Sequence, residues 1–256
     1  MVMNLKINNI EKLTDEEIEK IYLKCLEYAN RIKNPDLKEC CLQIYKDYKQ
    51  KLISKPASPN HHFFKGGLIY HSYCVTRNAI MIAELYDYIK MDMDLVIFGS
   101  LLHDIGKTND YKDFDSINVG ETEILSSGSY MVGHSYEGTH IVENYLQKYN
   151  LDDKFKYQVL HMIGSHMKEF SEYGVLTSLK MLEVIVINYG DSMDATLDGT
   201  RNGINNSKNS ELYFNENQTI KFYKSVNPYY DKWKFLYTLS TLKDTHLLRQ
   251  LSTSKK

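Results

Sequence analysis

Residues 95–107 read LVIFGSLLHDIGK. From Leu95 to Leu102 the run carries no charge, and it ends in His103 and Asp104, followed by Ile105, Gly106 and Lys107. Continuous apolarity of this kind belongs to a helix buried on all sides, predicted here from about Asp94 through His103. Two ionisable groups delivered at the end of a buried helix need partners or a metal, because unpaired burial is costly. Gly106 lets the backbone turn sharply, and Lys107 sets a cation beside the pair. Taken alone, the pair has a second reading: a His–Asp hydrogen bond that closes a helix end.

The flanking segments weigh on that choice. A helix predicted from about Leu68 to Ile89 has His71, Val75, Ala79, Ile82 and Tyr86 on its inner stripe. Another, from Thr177 to Ala195, sets Asp191 on the face of Val184 and Ile187. Three helices can therefore bring His71, His103 with Asp104, and Asp191 to one point of a bundle. Asp194, one turn past Asp191, reads as a partner behind such ligands, with helix-end solvation as its alternative.

Upstream, Thr14 and Glu17 form a capping box for a helix carrying Ile18, Ile21, Tyr22, Cys25, Leu26, Ala29 and Ile32. Asn34-Pro35-Asp36 breaks it, and a second helix carries Leu37, Cys41, Ile44, Tyr45 and Tyr48. Pro56 and Pro59 bracket a loop leading to His61 and His62, which either line a substrate mouth, with His62 as the binding residue, or shape a turn. Downstream, residues 108–132 read as a short irregular hairpin. Its acidic residues, Asp110, Asp113, Asp115, Glu121 and Glu123, suit either a rim over the cleft or an exposed loop. Helices follow from Gly133 to Tyr149 and from Asp152 to Lys168. Gly199 to Ser210 reads as a loop, Tyr213-Phe214 and Ile220–Phe222 as a hairpin, and Trp233 to Leu251 as a last helix. The expected fold is an all-α bundle with a short β-hairpin insertion. It divides into a helical extension (1–36), a main domain (37–198) and a loop, hairpin and helix (199–256).

Across 256 residues, 31 basic and 33 acidic side chains leave a formal net charge of −2. That argues against the basic footprint of a dedicated nucleic-acid binder and leaves room for a local phosphate grip. The four cysteines show no CxxC spacing and read as reduced thiols. The first thirty residues alternate charge and apolarity, unlike a signal peptide, and no apolar run nears the roughly 20 residues of a membrane span. The expected location is cytoplasmic, with no membrane partner. There is no G-x-S-x-G elbow and no glycine-rich phosphate loop. Imidazole mixed with carboxylate suits Mn, Fe, Co, Ni or Zn better than Ca or Mg.

The order His71…His103-Asp104…Asp191 resembles the HD phosphohydrolase superfamily. IYKDYKQKLISKPASPNHHFFKGGLIYH (Ile44–His71), LLHDIGK (Leu101–Lys107), GHSYEG (Gly133–Gly138), GSHMKE (Gly164–Glu169) and LEVIVINYGDSMDA (Leu182–Ala195) follow in succession. Over about residues 37–198 this series is similar to the HD domain of the YhaM-type exoribonucleases. The resemblance implies an HD-domain helical bundle in which His71, His103, Asp104 and Asp191 hold a primary divalent transition metal. It implies that His134 and His166 recruit a second ion, that Asp104 bridges the two, and that Asp104 and Lys107 form the catalytic pair. Lys107 would also steady the substrate phosphate. Two ions about 3.5–4 Å apart suit in-line displacement at phosphorus. Glu137, on the side of His134, reads either as its outer partner or as solvated surface.

Two departures qualify the transfer. Met167 stands where members of this branch often carry a further histidine, which weakens the second site. Residues 1–36 read as helical where the branch carries a nucleic-acid-binding barrel of the OB type. The expectation is a metal-dependent phosphodiesterase or phosphatase acting on a nucleotide or short nucleic-acid end, 3′–5′ exoribonuclease-like. The alternatives are a hydrolase of free nucleotides or small phosphomonoesters and, from another class, a non-catalytic nucleotide-binding module.

Overall fold

Helix α5 (Met93–Leu102) forms the hub of the bundle, and every residue from Leu95 to Leu102 is buried. Its start is fixed twice. The Asp92 carboxylate accepts from the Asp94 and Leu95 amides, and the Asp94 carboxylate accepts from the backbone of Lys33 and Asn34. That second pair of bonds ties α5 to the turn between α1 (Asp15–Ala29) and α2 (Pro35–Asp47). The expected capping box of Thr14 and Glu17 opens α1. Asn34 caps α2 with Pro35 in its first turn, where a missing amide costs nothing. After the short α3 (Lys49–Ser54) comes α4 (Gly67–Leu85), and α1, α2 and α4 pack round α5.

The computed structural model describes residues 12–118, 127–167, 174–206, 212–215 and 220–223. After α5 the chain forms the short α6 (Lys107–Asp110) and a 3-10 turn at Phe114–Ser116. Helix α7 (Ser127–Leu146) is broken at Gly133, whose φ of 72° and ψ of 156° are not helical. Helices α8 (Asp153–Ser165) and α9 (Leu182–Asn206) complete the set among the described residues. Where a hairpin was expected at 108–132, the described residues form α6, the 3-10 turn, irregular backbone with a lone bridge residue at Tyr111, and the start of α7, and residues 119–126 lie outside the described residues. Side-chain bonds shape the start of that segment. Lys55 Nζ donates to the Tyr111 carbonyl, Ser54 to Asp113, and Lys51 to Asn109. The loop expected from Gly199 begins later, because α9 runs on to Asn206.

The chain divides into two compact units, Met1–Gly199 and Thr200–Lys256. In the second, β1 (Leu212–Asn215) and β2 (Ile220–Tyr223) pair antiparallel, with Tyr213 opposite Phe222. The expected last helix from Trp233 lies outside the described residues. All four cysteines are free and buried. Among the described residues no helix is long and apolar enough to cross a membrane.

Candidate metal centre

Six side chains from five elements meet at the end of α5. His71 comes from α4, while His103 and Asp104 directly follow α5. His134 follows the break in α7, His166 ends α8, and Asp191 comes from α9. Asp104, only 1 % exposed, lies in the middle. Its Oδ2 is 3.4 Å from His71 Nε2 and 3.4 Å from His103 Nε2. Its Oδ1 is 3.4 Å from His134 Nε2 and 3.6 Å from His166 Nε2. His71 Nε2 also lies 3.1 Å from Asp191 Oδ1 and 3.4 Å from His103 Nε2. Lys107 Nζ closes on Asp104 Oδ2 at 2.7 Å.

The far sides of the rings decide what the near sides can do. His103 Nδ1 is 2.8 Å from the Ser100 carbonyl, and His166 Nδ1 is 2.8 Å from the Ile163 carbonyl. A carbonyl only accepts, so both rings carry a proton on Nδ1 and, when neutral, turn an Nε2 lone pair toward the centre. His71 Nδ1 likewise lies 2.7 Å from Asp194 Oδ2. Neither Asp104 oxygen receives an aligned hydrogen bond, and His166 Nε2 has no hydrogen-bond partner. Lone pairs and carboxylate oxygens thus converge on one buried volume, an arrangement that a cation satisfies. Donor atoms bound about 2.1 Å from one ion lie about 3.0–3.4 Å from each other, close to the spacings found here. Two trios fit round an ion, His71–His103–Asp104 and Asp104–His134–His166.

The electrostatics follow from this crowding. Burial would raise the Asp104 carboxyl, but Lys107 and His103 overcome it and hold it well below the usual range. Burial likewise opposes ionisation of Asp191, and His71 and His103 outweigh it. Burial would lower His71, yet its contacts with Asp104, Asp191 and Asp194 hold it well above the ordinary imidazole value. His134 is pushed down to about 3 by burial.

Two of the sequence assignments change. His62 does not line a mouth: it is 3 % exposed, with Nε2 2.8 Å from Asp194 Oδ2 and its backbone amide 2.7 Å from Asp198 Oδ2. A third trio, His62–His71–Asp194, also has ligand spacing, but its atoms are joined by hydrogen bonds. Glu137, read either as an outer partner of His134 or as solvated surface, accepts from Asn109 Nδ2 at 2.8 Å. Asp194 lies on the far side of the His71 ring, its Oδ2 2.7 Å from Nδ1. Asp198 escaped notice, although Asp191, Asp194 and Asp198 recur at the i, i+3, i+7 spacing of one helix face. His61 emerges in its place at the centre, with its ring 4.8 Å from that of His71.

The HD domain family model matches residues 68–196, half of the chain. The 3′-5′ exoribonuclease YhaM of Bacillus licheniformis is 27 % identical over 173 residues, 67 % of this chain and 52 % of that protein. Its namesake in Bacillus subtilis is 27 % identical over 174 residues, with the same shares. The dihydroneopterin 2′,3′-cyclic phosphate phosphodiesterase of Methanocaldococcus jannaschii is 26 % identical over 219 residues, 80 % of each chain. The chain thus spans about half the length of the exoribonuclease relatives it matches. No solved structure gives a significant match.

Proposed function

The chain belongs to the HD-domain family, and we propose that it is a divalent-metal-dependent phosphodiesterase acting on a nucleotide-sized phosphodiester. One observation carries this reading: a single buried carboxylate, Asp104, offers one oxygen to the imidazole pair His71 and His103 and the other to His134 and His166. In this reading His71, His103, Asp104 and Asp191 would hold one ion, and His134 and His166, together with Asp104, would hold a second. Nitrogen and carboxylate donors suit Mn, Fe, Co, Ni or Zn. Bound divalent metal supplies Lewis-acid polarisation of the phosphoryl oxygens and lowers the pKa of water.

The protein's own groups do the rest. Asp194 holds the His71 proton on Nδ1, which keeps Nε2 free for the ion. Lys107, paired with Asp104, offsets the charge of the carboxylates and presents a cation to a phosphate oxygen. The four buried thiols are kept as free Cys, which suits a reducing compartment such as the cytoplasm.

The match to the cyclic-phosphate phosphodiesterase takes in four-fifths of that protein, and the match to the exoribonuclease about half. A second reading, attack on an RNA 3′ end, draws on the motif series shared with the exoribonucleases. The deciding experiment is a panel of 2′,3′-cyclic nucleotides, bis(p-nitrophenyl) phosphate, nucleoside monophosphates and a short oligoribonucleotide. Each is tested with Mn²⁺, Co²⁺, Ni²⁺, Zn²⁺ and Mg²⁺. Metal-dependent diester cleavage is expected. A metal-loaded protein inert toward the whole panel would instead be a nucleotide-binding module.

A further inference from the structure

Beside the ligand cluster stands a pair of histidines that it does not use. His62 is held at both ends. Its amide donates to Asp198 Oδ2 at 2.7 Å, and its ring Nε2 donates to Asp194 Oδ2 at 2.8 Å. Its carbonyl accepts from Phe64 at 2.9 Å and Ala57 at 3.3 Å. A Cβ on Gly67 would come within 1.9 Å of that same carbonyl, so the loop lies directly on the start of α4. His62 has a φ of 47°, a left-handed conformation that non-glycine residues seldom adopt. Strain that is over-determined by its surroundings is a mark of preorganisation.

The result is a rigid seat for the preceding residue. The His61 ring stands at 87° to that of His62 and lies against His71, centroid to centroid at 4.8 Å. His61 is only half-buried as a residue, yet its Nε2 is sealed from solvent and has no hydrogen-bond partner. Buried polar atoms without partners are rare enough to call for a reason. No trio of ligand-spaced atoms among the described residues includes His61, and, unlike Asp191, whose Oδ1 lies 3.1 Å from His71 Nε2, it meets His71 ring against ring. The ring is thus beside the ligand set without being part of it.

We propose that His61 is a substrate-contacting residue, whose Nε2–H donates a hydrogen bond to a non-bridging oxygen of the phosphoester held at the His71 side of the centre. This rests on the phosphohydrolase reading above. His62, Asp194 and Asp198 are positioning residues for it, and Asp194 serves His71 and the His61–His62 loop together.

The test compares wild type, His61→Ala and His61→Gln as full chains loaded with Mn²⁺. Metal per chain is measured by mass spectrometry, inorganic phosphate affinity by calorimetry, and kcat and KM with bis(p-nitrophenyl) phosphate. In His61→Ala, metal content and thermal midpoint stay at wild-type values. Phosphate affinity and kcat/KM fall about 10- to 100-fold, the loss expected for one hydrogen bond to a charged acceptor. The amide N–H of His61→Gln restores part of both. Phosphate affinity within twofold of wild type in His61→Ala overturns the proposal, as does loss of metal in that variant. If metal-loaded wild type neither binds phosphate nor cleaves any diester, the phosphohydrolase reading fails and this one with it. An active wild type beside an indifferent His61→Ala rejects His61 alone.

Discussion

Asp104 differs from the other acids of the centre in that both of its oxygens face histidines. Asp104→Asn keeps the volume and removes the shared charge, so both ions should be lost together, with diester cleavage abolished. His166→Ala touches one oxygen only and should cost one ion. Metal per chain by mass spectrometry separates the two, and an Asp104→Asn protein that keeps two ions would contradict a shared carboxylate. Asp194→Asn probes the layer behind: its Oδ2 takes bonds from His62 and His71 at once, which an amide cannot match in charge. Metal affinity should fall about 10- to 100-fold in a chelator competition, and an unchanged affinity would leave Asp194 as a helix residue only. At this scale the sequence was most legible where chemistry clashed with context, as at His103-Asp104 after an apolar run. It was least legible at His61 and His62. Which of the two faces the centre depends on the sign of one φ angle, and nothing in the residue types reveals that.

Elements reach the centre only because α6 and α7 cross closely. A Cβ on Gly106 would lie 2.0 Å from the His134 carbonyl oxygen and 2.7 Å from the Gly138 amide, both backbone. Gly106→Ala must therefore push α7 away and carry His134 off Asp104. A destabilisation of about 1–3 kcal/mol is expected for such overpacking, or a drop in thermal midpoint of about 2–4 °C per kcal/mol for a chain of this size. Gly138→Ala is the milder comparison at the same crossing, since its Cβ would stand 3.1 Å from the Ile163 side chain and 3.2 Å from the Gly106 amide nitrogen, tight but without the overlap that Gly106 meets. Calorimetry of both should find the Gly106 variant the weaker, and equal midpoints would mean the crossing is not tight. Periodicity located the buried helices because their faces are packed. It misjudged residues 108–118, where bonds from Lys51, Ser54 and Lys55 set the path and apolar spacing does not. It also stopped α9 too early. Asp198 is held by His62, and the helix, already nucleated, carries the roughly 1 kcal/mol that Gly199 costs. A Cβ there would approach the Asn60 carbonyl to 2.9 Å, so Gly199 marks a close crossing and not a helix end.

For the molecule as a whole, the centre is a concentration of like charge that the fold must neutralise. Asp104 is held below its usual range by Lys107 and His103, and Asp191 and Asp194 by hydrogen bonds from their histidine neighbours, which outweigh burial in each case. Their contribution to stability is therefore present above about pH 3.9, the unfolded value, and is lost as pH falls through the lowered folded values. His71 works in the opposite sense: burial opposes its charge, and the three carboxylates raise it above the unfolded value of about 6.5. Its contribution is full below about pH 6.5 and is lost as pH rises through the folded value. A divalent ion takes the place of that proton, so metal binding should release protons and strengthen with pH. Metal-free protein should then lose stability on the alkaline side, where metal-loaded protein does not. Mn²⁺ at about 100 times its dissociation constant should add about 2.7 kcal/mol, and the gain in thermal midpoint should be larger at pH 8 than at pH 6. Scanning fluorimetry across that range, with and without Mn²⁺, reads this directly. A midpoint indifferent to divalent ions at pH 8 would mean that the histidines and carboxylates neutralise one another without a metal, and the chemistry assigned to the centre would lose its basis.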